Sequence, residues 1–212
     1  MGKEIGTKER IMQEALKLFA QNGFMATSMS DIAKQLDITK AALYKHYVSK
    51  QQIFDCIVER MNQMDQERLE QYQMPEGTFP KVALKYKNTP LDKIKMFTEV
   101  QFKHWTEEDF AGNFRKMLTL EQYRSQEMAD MYQNYLAKGP IDYMTDLFAE
   151  MFRDNEEISR NSRQIAIDFY GPIFLLMSMY DNADDKEEIL SLLNEHIERF
   201  ARAEPLALAM GI

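Results

Sequence analysis

The sequence predicts an all-α protein, and three observations support that prediction. Through most of the 212 residues, apolar side chains recur every three or four positions, which is the spacing of one helix face. Residue pairs that cap helix N-termini recur as well, whereas the polar–apolar alternation typical of β-strands does not. Glycine and proline number only eight and six, and the first proline is Pro75. We therefore expect about nine to ten helices.

The first fifty residues predict three short helices. Thr7 can cap the first, and Gly23 supplies the left-handed residue that ends it. The capping box Ser28–Asp31 opens the second helix. Asp37 follows in a tight turn, where aspartate tolerates the left-handed conformation, and Thr39 caps the third helix.

Longer helices are expected in the rest of the chain. A second capping box, Ser49–Gln52, starts a helix from residue 50 to about 72. Breaks follow at 74–80 and 88–90, and Pro172 is expected to kink the helix that contains it. The other predicted helices span 91–107, 110–122, 126–137, 141–153, 161–181 and 185–203, with breaks at Gly139-Pro140, 154–159 and 181–185.

Charge is unevenly distributed along the chain. The formal net charge is −8, yet residues 1–50 hold eight basic and five acidic side chains, a net +3. The remaining 162 residues therefore carry −11. A basic N-terminal part on an acidic body indicates an anionic partner at one end, although a solvated basic face fits equally well.

Composition excludes several classes of function. One cysteine, Cys56, allows neither an internal disulfide nor a cysteine metal cluster, and the three histidines lack metal-ligand spacing. The longest dense apolar run, 171–180, is about half of the ~20 residues that a membrane span needs, and no secretory signal is recognisable. No catalytic or nucleotide-binding motif is found. We expect a cytoplasmic protein that is no enzyme and has no cofactor, no metal and no membrane partner.

Two short capped helices, joined by a tight turn and preceded by a third helix, describe a helix-turn-helix. The second of them offers small or polar side chains on its outer side, as entry into a DNA major groove requires, while Leu43 points inward. The outer residues are Thr39, Lys40, Ala41 and Tyr44. We expect a DNA-binding domain in residues 1–50, connected by the helix from 50 to about 72 to a second helical domain, 51–212.

The segment 24–54 resembles the DNA-binding domain of the tetracycline-repressor (TetR) family. The matching features are Thr27-Ser28, Asp31-Ile32-Ala33, Ile38-Thr39-Lys40, Leu43-Tyr44, His46-Tyr47 and Ser49-Lys50. Asp37 replaces the usual turn glycine, Val48 a common proline, and Ala42 a common Thr or Ser, so the hydroxyl contact at position 42 is missing.

The resemblance implies a repressor that binds a palindromic operator in double-stranded DNA as a homodimer. Carried over position by position, it implies DNA contacts from Thr27, Ser28, Thr39, Lys40, Ala41, Tyr44, His46 and Lys50. It also implies that residues 51–212 form an effector-binding and dimerisation domain.

Two features of that second domain favour an effector and a dimer. Gln101 and His104 interrupt the apolar stripe of the helix 91–107, and a small, largely apolar effector could be their partner. Further candidates for effector binding are Trp105, Tyr123, Met144, Phe148, Tyr170 and Phe174, each of which is alternatively a core residue. Apolar stripes of the last two helices serve either a dimer interface or the core, namely Ile165, Phe169, Ile173, Leu176, Ile189, Leu192, Leu193, Ile197 and Phe200.

Three functions follow from these patterns. The first is a ligand-responsive repressor of the TetR type. The second is a DNA-binding regulator controlled by a protein partner, with no small-molecule pocket. The third is an all-α enzyme in which the helix-turn-helix is structural, although no local spacing brings titratable groups together for it.

Overall fold

The computed structural model describes residues 6–75 and 77–202, and these residues form twelve α-helices. The helices are α1 (Thr7–Asn22), α2 (Met29–Gln35), α3 (Lys40–Tyr44), α4 (Lys50–Gln71), α5 (Phe79–Lys87), α6 (Leu91–Thr106), α7 (Asp109–Glu121), α8 (Gln126–Leu136), α9 (Lys138–Met151), α10 (Glu156–Arg160), α11 (Ser162–Tyr180) and α12 (Lys186–Arg202). The all-α prediction is confirmed. The described residues form more helices than the nine to ten predicted, because α5 occupies the stretch between two predicted breaks and α10 lies in a stretch predicted as a break.

One predicted break differs in the structure. Gly139 and Pro140 lie in the first turn of α9, where proline is tolerated because its missing N–H would have no helical partner. The helix predicted over 161–181 is confirmed, since α11 runs from Ser162 to Tyr180 with Pro172 inside it. The kink at Pro172 stays a prediction.

The chain divides into two compact units, of which the first comprises Met1–Arg68 and Glu108–Tyr132. In this unit α1 packs against α2 and α7, and α2 packs against α3. Its fully buried core includes Ile11, Leu16, Phe19, Ile32, Leu43, Ile53, Ile57 and Phe114. The unit extends past the boundary predicted at residue 50, because α4 packs on it: the ring centroids of Phe24 and Phe54 lie 5.1 Å apart.

The second unit comprises Leu69–Glu107 and Gln133–Ile212. Here α11 packs on α9, α12 and α6, and α5 packs on α9. Most of the apolar stripes of α11 and α12 serve the core of this unit, with Phe102 at the centre of one cluster. The stripe residues in that cluster are Ile173, Leu176, Ile189, Leu193 and Ile197.

Within the described residues, no helix combines the length and the apolar character needed to cross a membrane.

Candidate nucleic-acid interface

Capping residues define both helices of the helix-turn-helix. The Ser28 hydroxyl accepts a hydrogen bond from the Asp31 amide at 3.2 Å, and the Asp31 carboxylate accepts one from the Ser28 amide at 2.8 Å. Asp37 adopts a φ of 53°, which confirms the predicted left-handed turn. Thr39 then accepts from the Ala42 amide at 3.1 Å and begins α3. Local side chains therefore fix the start of each helix and the turn between them.

The outer side of α3 is open to solvent. Thr39, Lys40 and Ala41 are exposed, and Tyr44 is 43% exposed. We call these four residues the reading face. On the opposite side, Leu43 is completely buried and anchors α3 to the unit. A narrow helix with a polar open side and an apolar inner side has the form that enters a major groove.

The positions predicted to contact the DNA backbone fall into two groups. Ser28 and His46 are exposed. Thr27, in contrast, is only 3% exposed, and its hydroxyl donates to the Gly23 carbonyl at 2.8 Å. The Thr27 hydroxyl therefore faces the interior of the unit, and a contact of this residue with the DNA backbone stays a prediction.

Lys50, which was predicted to contact a phosphate, makes its hydrogen bonds within its own chain. Its ammonium group donates to the carbonyls of Phe24 at 2.5 Å and of Thr27 at 2.7 Å, and lies 3.4 Å from that of Met25. The Nζ atom lies 4.3 Å from the centroid of the Phe24 ring. Burial lowers the pKa of Lys50, while the negative charge of Glu121 acts in the opposite direction. The structure thus gives Lys50 a role in holding the segment between α1 and α2.

Glu121, at the end of α7, touches the same segment and was missed by the sequence analysis. Its side chain is completely buried, and its Oε1 accepts from the Met25 amide at 3.4 Å and from Arg124 Nη1 at 2.9 Å. The one signal available was that residue 121 continues the apolar face formed by Phe114 and Leu118. Its partner lies 96 residues away, which no local pattern reveals.

The residues predicted to bind an effector are dispersed. Trp105, Tyr170 and Phe174 pack on the core cluster around Phe102, and the Tyr170 hydroxyl donates to the Leu136 carbonyl at 2.8 Å. Gln101 is half-buried and His104 is buried. The centroids of the His104 and Trp105 rings lie 5.2 Å apart. Met144 and Phe148 belong to a different apolar cluster of the second unit.

Tyr123 differs from the other candidates in its surroundings, and its role in effector binding stays a prediction. It is 89% exposed, in the turn after α7, and belongs to the first unit rather than to the second.

An open groove of about 550 Å³ lies elsewhere in the second unit, between the segment that follows α4, the helix α5 and the start of α6. The eight predicted residues do not line it. Its lining is Gln73, Met74, Pro75, Leu84, Lys85, Asn88, Thr89, Pro90 and Lys93.

Residues 11–57 match the family described as bacterial regulatory proteins, tetR family. The matched segment contains the reading face, both capped helices and Lys50. Residues 11–57 thus form a DNA-binding domain of the TetR type, and the protein is a DNA-binding transcriptional regulator.

Proteins similar to this chain over most of its length agree with that assignment. The biofilm operon icaADBC negative transcriptional regulator IcaR of Staphylococcus aureus is 26% identical over 208 residues, covering 91% of this chain and all of IcaR. The fatty acid degradation regulator FadR of Bacillus halodurans has a similar fold, with a TM-score of 0.61 and 16% identity over 95% of this chain and 98% of that one. FadR of Bacillus subtilis, solved in complex with stearoyl-CoA, gives a TM-score of 0.60 and 19% identity over 91% of this chain and 97% of that one.

Proposed function

We propose that this protein is a ligand-responsive repressor that binds a palindromic operator as a homodimer through the reading face of α3. The open reading face, held by two capped helices and the buried Leu43, supports this proposal most directly. Exposed Ser28 and His46 flank the reading face as candidates for contacts to the DNA backbone. The name of IcaR describes a negative regulator, which favours repression here.

Selection of duplexes from a random pool, followed by fluorescence anisotropy on the selected duplex, tests the proposal. We expect Lys40→Ala and Tyr44→Ala each to weaken binding by about 10- to 100-fold, because each removes a groove or phosphate contact. Lys17→Ala is the control: it also removes one lysine charge, but Lys17 pairs with Glu14 on α1. Equal affinities of all three variants and the wild type would contradict the assignment of the reading face.

The small size of α3 supports a homodimer. Five residues can contact few base pairs, so specificity requires two copies about 34–36 Å apart on the duplex. The second unit offers an apolar surface for a second copy, because α11 and α12 leave large side chains exposed. These are Ile167, Leu175, Met179 and Leu192, with Leu175 60% exposed.

A charge placed on that surface tests the dimer. We expect Leu175→Glu to give a monomer in sedimentation analysis, because burying an unpaired carboxylate in the interface is costly. Leu84→Glu is the matched control, since Leu84 is 63% exposed but lies on α5. A Leu175→Glu protein that remains dimeric would place the interface elsewhere.

A small, largely apolar effector is the proposed signal. Half-buried Trp105 and Phe174 pack on the core cluster of the second unit, and a similar fold, FadR of Bacillus subtilis, was solved with stearoyl-CoA. Trp105 is the only tryptophan of the chain, so its emission reports binding in this unit. Titration with stearoyl-CoA, with coenzyme A as control, should shift that emission and release the selected duplex.

A further inference from the structure

Two opposite charges hold the segment between α1 and α2, residues 23–28, which we call the α1–α2 loop. Lys50, in the first turn of α4, donates to the carbonyls of Phe24 and Thr27. Glu121, at the end of α7, accepts from the amide of Met25 within the same loop. Carbonyl and amide groups of one short loop are thus bound by a cation and an anion from two different helices.

The burial of Glu121 is costly for stability. Its side chain is completely buried, and Oε2 has no hydrogen-bond partner among the residues that the structure describes. A buried carboxylate with an unpaired oxygen destabilises the fold, and an apolar side chain of similar volume would avoid that cost. Stability alone therefore does not account for a carboxylate at this position.

Gly23 shows how closely the loop approaches Glu121. The φ of Gly23 is +90°, and a Cβ atom built on it would lie 2.2 Å from Glu121 Oε1 and 2.5 Å from Arg124 Nη1. Only a residue without a side chain fits both this conformation and this contact. The loop ends at Ser28, the N-cap of α2, so its position fixes where α2 begins.

We propose that Glu121 is a positioning residue for DNA recognition: by binding the α1–α2 loop, it sets the position of α2 and, through the packing of α2 on α3, that of the reading face. This inference rests on the proposed function. It extends the DNA-reading part of the chain to α7, well beyond residues 11–57 that the family shares.

Two substitutions at residue 121 separate positioning from stability. Glu121→Gln keeps the shape and one acceptor oxygen but removes the charge, and Glu121→Met removes both in a similar volume. We expect Glu121→Met to weaken binding to the selected duplex by about tenfold or more, the effect of losing one hydrogen bond to a charged group. Glu121→Gln, which keeps an acceptor for the Met25 amide, should weaken it less. Urea unfolding of Glu121→Met should occur at the same or a higher concentration than that of the wild type.

Glu14→Gln is the matched control. Glu14 also pairs with a cation three residues away, Lys17 at 2.8 Å, and lies in the same unit, in the middle of α1. Its duplex affinity and its unfolding midpoint should equal those of the wild type.

Amide hydrogen exchange supplies a readout that does not depend on DNA. We expect the Met25 amide to exchange about tenfold faster in Glu121→Met, while the amide of buried Ile32 keeps its protection. If both amides exchange faster and the free energy of unfolding falls as well, Glu121 contributes only to stability and the inference is wrong.

The outcomes of the DNA experiment are also distinguishable. If the wild type binds its selected duplex and both Glu121 variants bind it equally well, the inference fails and the proposed function stands. If the wild type selects no duplex, the proposed function fails as well.

Discussion

Replacing Lys50 by methionine tests whether this lysine holds the α1–α2 loop or binds a DNA phosphate. The ammonium group makes two short hydrogen bonds, at 2.5 Å to the Phe24 carbonyl and at 2.7 Å to the Thr27 carbonyl. A hydrogen bond from a charged donor contributes about 1.5–3 kcal/mol. Partial exposure and the desolvation that lowers the pKa of Lys50 offset about half of the combined gain. We therefore expect Lys50→Met to lower the free energy of unfolding by about 1.5–3 kcal/mol.

Two measurements report this change. Urea denaturation followed by circular dichroism gives the free energy of unfolding. Anisotropy on the selected duplex at several salt concentrations gives the slope of log K against log salt, whose magnitude falls by about 0.9 for each phosphate that the protein no longer neutralises. Because Lys50 binds loop carbonyls, its replacement should leave the slope of the folded protein unchanged.

Lys45→Met is the control, since Lys45 is exposed in the same unit. Its unfolding free energy should stay within about 0.5 kcal/mol of the wild type, as is usual for an exposed position. The reasoning is refuted if Lys50→Met keeps the stability of the wild type while the magnitude of the salt slope drops by about 0.9, because that combination identifies a phosphate ligand.

Three other predictions follow from the same unit. Leu43→Ala should destabilise the protein by about 3 kcal/mol in urea denaturation, because it empties a fully buried site; a loss below about 1 kcal/mol would contradict the packing of α3. Gly23→Ala should lower the free energy of unfolding by about 1–2 kcal/mol because of the positive φ, and by more because the added methyl group meets Glu121. The effects of Gly23→Ala and Glu121→Ala on unfolding should therefore not add in a double-mutant cycle, and additive effects would contradict this contact. Hydrogen bonds from Ser28 hold the pKa of Asp31 below its ordinary value. The Asp31 carboxylate therefore stabilises the fold at pH values above its ordinary pKa, and this stabilisation is lost as the pH falls through the lowered pKa. Ser28→Ala should raise the Asp31 pKa in an NMR titration, and an unchanged pKa would exclude the capping box.

The helix-turn-helix could be predicted because its determinants are local. The Ser28 capping box, the Thr39 cap and the left-handed Asp37 involve partners within three residues in the chain. The exposure of the reading face followed from the same reasoning, since a burial pattern of period 3.6 that places Leu43 inside places its neighbours outside.

The roles of Lys50 and Thr27 could not be predicted, because they depend on where distant backbone groups lie. The acceptors of Lys50 are 23 to 26 residues away, and a carbonyl carries no mark in the sequence. The sequence pattern of a lysine at a helix N-terminus is the same whether its side chain binds a DNA phosphate or carbonyl groups of its own chain. The contact of Glu121 was even harder to predict, because the Met25 amide that it binds lies 96 residues away in the chain.

The apolar residues of α11 show a second feature that could not be predicted from the sequence, namely which of them the core buries. The sequence contains an apolar stripe but does not indicate whether the core or a second copy covers it. Ile173, Leu176 and Met177 are buried in the second unit, whereas Leu175 and Met179 are exposed. A helix that served only its own core would need one apolar face, because the other would be more stable in water with polar side chains. The apolar side chains that α11 leaves in solvent therefore favour a second protein surface there, and a homodimer supplies one without any other partner.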